Sequence, residues 1–199
     1  MKNEIIQKKL HITRQAKIMD TKVCYKSSSF GKEAEVNISY EDLSRDKESH
    51  IHEISLLKFG MGIFAFFSFV SIVYRNDKDF DPTIWKFWVG LLCIVAIAYF
   101  ITREKLWKIR VQNNTYLFFF KNSPNKESVD DFIETLFESR DKYLRDTYFF
   151  EVTKNMPFES QKNNLQWLRR IEVISKEEFD VRKKELDKSF SQELTKIGF

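Results

Sequence analysis

The chain has few of the residues that mark turns or that stabilise small secreted folds. Its 199 residues include only 5 glycines, 3 prolines and 2 cysteines. So little glycine and proline excludes collagen-like and loop-dominated chains, and it is atypical of a β-sandwich with many turns. Two cysteines are too few for a disulfide framework or for the common four-ligand structural zinc site.

Neither sign of charge dominates the sequence. Lys and Arg together number 33 and Asp and Glu 29, which gives a net charge of +4. This small surplus does not indicate nucleic-acid binding, because the basic residues of such proteins are more numerous and more clustered. A hydrophobic content of 43%, with 20 phenylalanines, excludes a disordered chain.

Two long stretches lack charge altogether. Residues 59–74 (FGMGIFAFFSFVSIVY) and 87–102 (FWVGLLCIVAIAYFIT) contain no Asp, Glu, Lys or Arg. A helix rises about 1.5 Å per residue, so each stretch covers about 24 Å, and a few flanking residues complete a span of the hydrocarbon core. The sequence therefore predicts a transmembrane helical hairpin over residues 55–102.

The charges beside the two spans predict their orientation. The connection at residues 75–83 (RNDKDFDPT) is short, so the spans are antiparallel and both ends of the chain lie on one side. Basic residues crowd the outer ends of the hairpin: Arg45, Lys47 and Lys58 before it, and Arg103, Lys105, Lys108 and Arg110 after it. The positive-inside rule then predicts that both termini lie in the cytoplasm. No charged segment followed by an apolar core and a cleavage site opens the chain, so we predict no signal peptide.

The basic cluster after the second span has two interpretations. Arg103, Lys105, Lys108 and Arg110 could attract anionic lipid at about 1 kcal/mol per charge near the surface. The favoured interpretation is that they are ordinary flanking charges on the cytoplasmic side of a span. The lipid bilayer is a predicted partner in both cases, and specific lipid recognition remains open.

Four segments outside the hairpin alternate apolar and polar residues, as half-buried strands do. They are residues 22–26 (KVCYK), 35–41 (EVNISYE), 106–111 (LWKIRV) and 115–120 (TYLFFF). The last two are close enough in sequence to form a β-hairpin. We predict one antiparallel sheet that combines strands from both sides of the membrane hairpin.

An amphipathic helix follows the last strand. Ser128, with Asp131 three residues later, has the pattern of a capping box. Apolar residues then recur on one side at helical spacing: Val129, Phe132, Ile133, Leu136, Phe137, Tyr143, Leu144 and Tyr148. We predict that this helix closes the sheet, so that residues 1–54 and 103–150 are two parts of a single cytosolic domain in an α+β membrane protein.

The order of these elements resembles the pleckstrin-homology-like membrane proteins of bacteria. Strands, a membrane hairpin, more strands and a closing helix cover about residues 10–150. The resemblance implies a pleckstrin-like fold split by an inserted hairpin. It also implies binding of a lipid or a peptide, although no family-specific binding residue is transferred.

The C-terminal tail is similar to a second family, the short C-terminal domain often called SHOCT. The similarity covers residues 165–187 (LQWLRRIEVISKEEFDVRKKELD) and includes Leu165, Leu168, Ile174, Ser175, Glu178, Phe179, Lys183 and Leu186. The family usually has a glycine in the turn where this chain has Glu172. The resemblance implies a pair of short helices, and Ser175 with Glu178 predicts a capping box on the second.

So short a helical pair has too little core to be stable alone. We therefore predict that residues 165–199 dock, either on their own domain or on another subunit, and that residues 151–164 form a linker. The predicted docking residues are Trp167, Leu168, Ile171, Phe179, Leu186 and Phe190.

The chemical candidates are few. His50 and His52 would share a face in a strand, but in a helix they would lie about 200° apart. We predict a helix just before the first span, and therefore no metal or other cofactor. The sequence has no glycine-rich phosphate loop and no nucleophile motif, so it does not predict an enzyme.

With the bacterial families that the chain resembles, the resulting expectation is a non-enzymatic protein of the bacterial inner membrane. It presents a cytosolic interaction domain and holds a protein partner, or copies of itself, at the membrane. Two alternatives stay open. One is an immunity or defence protein against a membrane-acting or delivered toxin. The other is an accessory subunit of a transporter or channel.

Overall fold

The computed structural model describes residues 3–76, 81, 83–112 and 115–194. The strands in these ranges are β1 (Glu4–Lys9), β2 (Ile12–Ile18), β3 (Lys22–Ser29), β4 (Lys32–Ser39), β5 (Leu43–His52), β6 (Glu104–Val111) and β7 (Thr115–Phe120). The helices are α1 (Ser55–Val73), α2 (Ile84–Thr102), α3 (Lys126–Tyr148), α4 (Phe158–Arg170) and α5 (Lys176–Leu194). Most of the predicted loop at residues 75–83, and residues 195–199 of the predicted tail, lie outside the described residues.

The chain divides into two compact units. The first comprises Met1–Glu48 and Trp107–Phe199, and the second comprises Ser49–Leu106. The segments before and after the two apolar helices therefore join in one unit, as a hairpin that returns the chain to its starting side requires. The boundaries between the two units fall within β5 and within β6.

The strands form two antiparallel sheets and not one. The first sheet has the order β1-β2-β3-β4, and the second has the order β5-β6-β7. The prediction that the strands near residues 22–41 and 106–120 share a sheet is therefore wrong. The strand that joins β6 from the other side of the apolar helices is β5, which the sequence analysis did not predict.

The strands missed from the sequence have unusual patterns. In β1, the second of the two buried positions is Gln7, and the two-residue turn into β2 has Leu10 at a φ of 52° where glycine or asparagine is typical. The strand β5 (LSRDKESHIH) is mostly polar and mostly exposed. It includes His50 and His52, so the prediction of a helix there is wrong.

The main core lies between the two sheets and α3. It contains buried apolar residues from all seven of these strands, from the chain between β4 and β5, and from one side of α3. The predicted apolar side of α3 is largely confirmed: Val129, Phe132, Ile133, Leu136, Phe137 and Leu144 are all buried. Its cap was assigned wrongly, because the N-cap is Asn125, whose side chain accepts a hydrogen bond of 2.8 Å from the Ser128 N–H.

The tail forms a second, smaller core against the end of α3. Leu144 of α3 packs with Leu165, Leu168, Val173, Ile174, Phe179 and Leu186. The helix α4 begins at Phe158, so the second half of the predicted linker at residues 151–164 is helical. The capping box of α5 is confirmed: the Ser175 N–H donates to Glu178 Oε2 at 2.8 Å, and the Glu178 N–H donates to Ser175 Oγ at 3.1 Å.

The second unit contains two helices that are long and apolar enough to cross a membrane. Each has 19 residues, or about 28 Å at 1.5 Å per residue, and they pack on each other. Their large side chains are mostly exposed, and Phe66, Phe69 and Phe100 each expose more than 60% of their surface. The core helix of a soluble protein would bury such side chains.

Candidate functional site

An open groove lies in the first unit between β1 and α3. Its volume is about 940 Å³. The lining residues come from the start of β1, from the chain just before α3 and from one side of α3: Glu4, Ile5, Ile6, Pro124, Ser128, Asp131, Phe132, Glu134, Thr135 and Glu138. The groove is open on one side and can admit an elongated ligand.

One wall of the groove is a sheet edge. The strand β1 is first in its sheet and pairs with β2, with Ile5 opposite Ala16 and Ile6 opposite Gln15. Ile5 is buried in the core, whereas Ile6 is 51% exposed. In an antiparallel pair, alternate backbone N–H and C=O groups of an edge strand point away from the partner strand. The start of β1 therefore offers backbone groups for pairing.

The remainder of β1 is tied to the second sheet by a buried side chain. The Gln7 amide is fully buried, and its Nε2 donates to the backbone oxygens of Phe120 at 2.8 Å and Ser123 at 2.5 Å. Its Oε1 accepts from the Phe120 N–H at 2.9 Å. Beyond Gln7, the Ser123 hydroxyl donates to the Lys8 carbonyl at 3.2 Å, so the open part of the strand edge is the part that lines the groove.

The groove is acidic. Glu4 lies on the strand side, and Asp131, Glu134 and Glu138 lie along α3, where their spacing places them on one side of the helix. The lining residues include no Lys or Arg, and Arg45 beside them has its Nη2 3.9 Å from Glu134 Oε1. The lining therefore presents a surplus of negative charge.

The sequence analysis did not predict this groove. The three carboxylates on α3 look like an ordinary charged helix face, and β1 itself was missed. The available signal was their recurrence at i, i+3 and i+7 next to the apolar side of α3. That signal is weak, since many solvated helix faces have the same pattern.

The predicted docking residues of the tail all lie in or against the second core. Leu168 and Leu186 are fully buried, Phe179 is nearly so, and Ile171 packs against the cluster. The Trp167 ring packs edge-on against the Tyr148 ring of α3, with 5.1 Å between the ring centroids. The Phe190 and Phe158 ring centroids are 5.5 Å apart. These residues pack the tail on its own domain, so an interface with another subunit would have to use other surfaces.

A buried arginine that sequence reasoning missed connects three elements. Arg140 of α3 is 1% exposed. Its Nε donates to the Leu43 carbonyl at 2.6 Å, its Nη2 donates to the Ile171 carbonyl at 3.2 Å, and its Nη1 is paired with Asp141. It therefore ties the start of β5 and the turn of the tail to α3.

A second arginine holds the tail through a carboxylate. Arg145 donates from Nη1 to Glu178 Oε1 at 2.7 Å and from Nη2 to the Val173 carbonyl at 3.0 Å. The Arg145 guanidinium, with the Ser175 N–H, holds the pKa of Glu178 below its ordinary value of 4.5. The charged form of Glu178 therefore stabilises the docked tail.

We expect this contact to weaken in acid. Because the pKa of Glu178 is lowered by folding, its stabilisation is present above about pH 4.5 and is lost as the pH falls further through the folded-state pKa. Glu178→Gln should cost roughly 1 kcal/mol at pH 7, mainly through the weakened cap, and should remove the acid-dependent step. Limited proteolysis of the tail between pH 7 and 4 measures both effects.

The matched control is Asp180→Asn, an exposed carboxylate on the same helix. It should digest like the unmodified chain at every pH. An acid-dependent increase in cleavage that persists in Glu178→Gln would contradict the assignment.

The turn of the tail has a left-handed residue. Glu172 has a φ of 62°, and the Val173 N–H donates to the Leu168 carbonyl at 3.0 Å while the Glu172 N–H donates to that of Arg169 at 3.1 Å. These bonds form a Schellman motif, whose left-handed position favours glycine.

Glu172→Gly should therefore stabilise the protein. Glycine removes the left-handed strain but also makes the unfolded chain more flexible, which offsets part of the gain. The net increase in the free energy of unfolding is expected to be about 1 kcal/mol. The thermal unfolding midpoint should then rise by about 2–4 °C. Glu172→Ala keeps the strain and should give no rise, so an equal gain in both variants would show that the side chain, and not φ, is responsible.

The four cations of the basic cluster after the second span have different surroundings in the structure. Lys108 Nζ and Arg110 Nη2 of the first unit approach Glu48 at 3.4 and 3.9 Å. Arg103 Nε of the second unit is 4.0 Å from Glu53, and Lys105 of that unit is exposed. These carboxylates reduce the positive charge that the basic cluster presents to anionic lipid.

His50 and His52 alternate along β5 and so share one face of the strand. In the part of the chain that the structure describes, no group of three or more His, Cys, Asp and Glu side chains is arranged to hold a metal ion.

Comparison with known proteins adds no function by similarity. No protein-family model, no curated protein and no solved structure matches this chain. The function has to be argued from the geometry above.

Proposed function

We propose that the chain is an integral protein of the bacterial inner membrane that crosses it twice, keeps both termini in the cytoplasm and holds a protein partner beside the membrane. The observation that carries this proposal is the exposed apolar surface of α1 and α2. Apolar side chains of this size are unfavourable in water, whereas transfer into hydrocarbon is favourable. The basic residues at the outer ends of the two helices support the orientation.

In this proposal the first unit is a pleckstrin-like module with the membrane hairpin inserted between its fifth and sixth strands. The succession of a four-stranded sheet, a three-stranded sheet and the closing helix α3 supports it. The helical pair α4 and α5, joined by a left-handed residue at Glu172, supports a SHOCT-like tail.

The role of the module is binding. The groove between β1 and α3 combines an open strand edge, exposed apolar surface at Ile6 and unbalanced negative charge, which together suit a protein segment. The chain then acts as a membrane-bound adaptor, and its work is to keep the partner near the bilayer.

Membrane integration is tested on the full chain expressed in bacteria. It should stay in the membrane pellet after an alkaline carbonate wash, and fusions of green fluorescent protein to either terminus should both fluoresce. Release into the wash would contradict membrane integration. Fluorescence from only one of the two fusions would contradict the proposed orientation.

Partner binding is tested by placing a photo-crosslinking amino acid at Ile6 in cells. We expect a discrete adduct from this position, and none from the control position Val181, which is 59% exposed on α5. Adducts from both positions, or from neither, would speak against the groove as the binding surface.

A further inference from the structure

We infer that the groove between β1 and α3 binds an extended protein segment with Lys or Arg at alternate positions, and that this segment adds to the sheet as a strand beside β1. The inference rests on the proposed binding function and names the chemistry of the partner.

The strand edge determines the extended form. The groove exposes the start of β1, at Glu4, Ile5 and Ile6, before the Ser123 hydroxyl takes up the edge at the Lys8 carbonyl. An open edge takes up an added strand through main-chain hydrogen bonds, which contribute affinity without regard to side-chain identity. A helical partner would leave these backbone groups unpaired.

The length of the acidic row fits a short strand. Asp131, Glu134 and Glu138 extend over seven residues of α3, which is about 10 Å at 1.5 Å per residue. A strand advances about 3.3 Å per residue, so the same distance holds about three residues beyond the first. Side chains on one face of a strand alternate, so two cations spaced by two residues meet the row.

Charge selects the partner class. The lining residues include four carboxylates and no Lys or Arg, and Arg45 approaches only to 3.9 Å from Glu134. This surplus repels phosphate and anionic headgroups and attracts Lys and Arg side chains. The apolar part of the lining, Ile6 with Phe132 and Pro124, leaves room for small apolar residues between the cations.

The test uses the purified full chain in a lipid nanodisc. The probe is a fluorescein-labelled hexapeptide, Lys-Val-Lys-Val-Lys-Val, and binding is followed by fluorescence anisotropy. We expect saturable binding that weakens with salt, and no binding of Glu-Val-Glu-Val-Glu-Val. Equal binding of the two peptides would overturn the inference.

The groove is tested with charge-neutral variants. Glu134→Gln with Glu138→Gln should raise the Kd for the basic peptide by about tenfold. The matched control, Glu127→Gln with Asp146→Asn, changes two exposed carboxylates of α3 outside the groove and should change the Kd by less than about twofold. Equal loss in both variants would show non-specific attraction and overturn the inference.

Strand addition is tested through the peptide backbone. Methylation of the amide nitrogens of alternate residues on one edge of the peptide should abolish binding, whereas methylation along the other edge should leave it. Equal binding of both methylated peptides would exclude pairing with β1. Failure of any of these tests would leave the membrane integration and the crosslinking result intact, so it can be distinguished from failure of the proposed function.

Discussion

Replacing Arg140 by leucine is expected to lower the free energy of unfolding by about 3 kcal/mol, the largest effect of any substitution considered. Arg140 is 1% exposed, and its guanidinium donates to the carbonyls of Leu43 and Ile171 while pairing with Asp141. Leucine supplies none of these donors, so both carbonyls lose their charge-assisted bonds in a site where water is largely excluded.

A second partner of Asp141 limits the loss of stability in Arg140→Leu. Arg45 Nη1 is 2.9 Å from Asp141 Oδ2, so this carboxylate keeps a cation in the variant. Removing one partner of a buried ion pair is strongly destabilising, and we expect the loss of stability here to lie near the lower end of that range. Thermal unfolding of the detergent-solubilised chain measures it.

The control for this prediction is Lys142→Leu, which removes an exposed cation two residues away on the same helix. Its effect should lie within about 0.5 kcal/mol. Arg140→Leu should also speed proteolysis of the tail, because the bond to the Ile171 carbonyl is lost. Similar unfolding midpoints for the two variants would contradict the role assigned to Arg140.

Replacing Gln7 by leucine should have the second largest effect, a loss of about 2–3 kcal/mol. The fully buried Gln7 amide satisfies both the N–H and the carbonyl of Phe120 and the carbonyl of Ser123. Leucine has a similar size, so the expected cost comes from the unpaired backbone groups and not from a cavity. Urea unfolding and hydrogen exchange at the Phe120 amide measure it.

Gln15→Leu is the matched control, since it makes the same chemical change in the neighbouring strand. Gln15 is only partly buried, and its amide donates to Glu4 at 2.6 Å near the surface. Its loss should cost less than about 0.5 kcal/mol. If Gln7→Leu is no more destabilising than Gln15→Leu, then the link between β1 and β7 does not hold the two sheets together.

Local patterns predicted some elements well and others poorly. The strand at residues 115–120, the apolar side of α3 and the capping box at Ser175 follow from alternation, helical spacing and cap chemistry over a few residues. The strand β5 was not predicted, because its charged side chains face solvent and its strand conformation depends on pairing with β6. Propensity is a weak guide where a neighbouring strand supplies the hydrogen bonds.

The candidate groove, too, could be predicted only in part from the sequence. Its acidic side chains on α3 can be listed from the sequence, but they look like any solvated helix face. They become a site only because the start of β1 lies opposite them, and β1 was hidden by its central Gln7. A polar residue at a buried position is acceptable when distant backbone groups satisfy it, and these are known only from the fold.

The sequence by itself determined the two apolar helices, since nineteen uncharged or nearly uncharged residues in a row specify their environment through composition alone. It also determined the amphipathic helix and the paired helices of the tail, because their periodicities are local. Only the tertiary structure decided that the strands separate into two sheets, that Gln7 and Arg140 are buried, and that an acidic groove opens beside β1. Each of these depends on hydrogen bonds between residues far apart in the chain, and such bonds leave no periodic trace in the sequence.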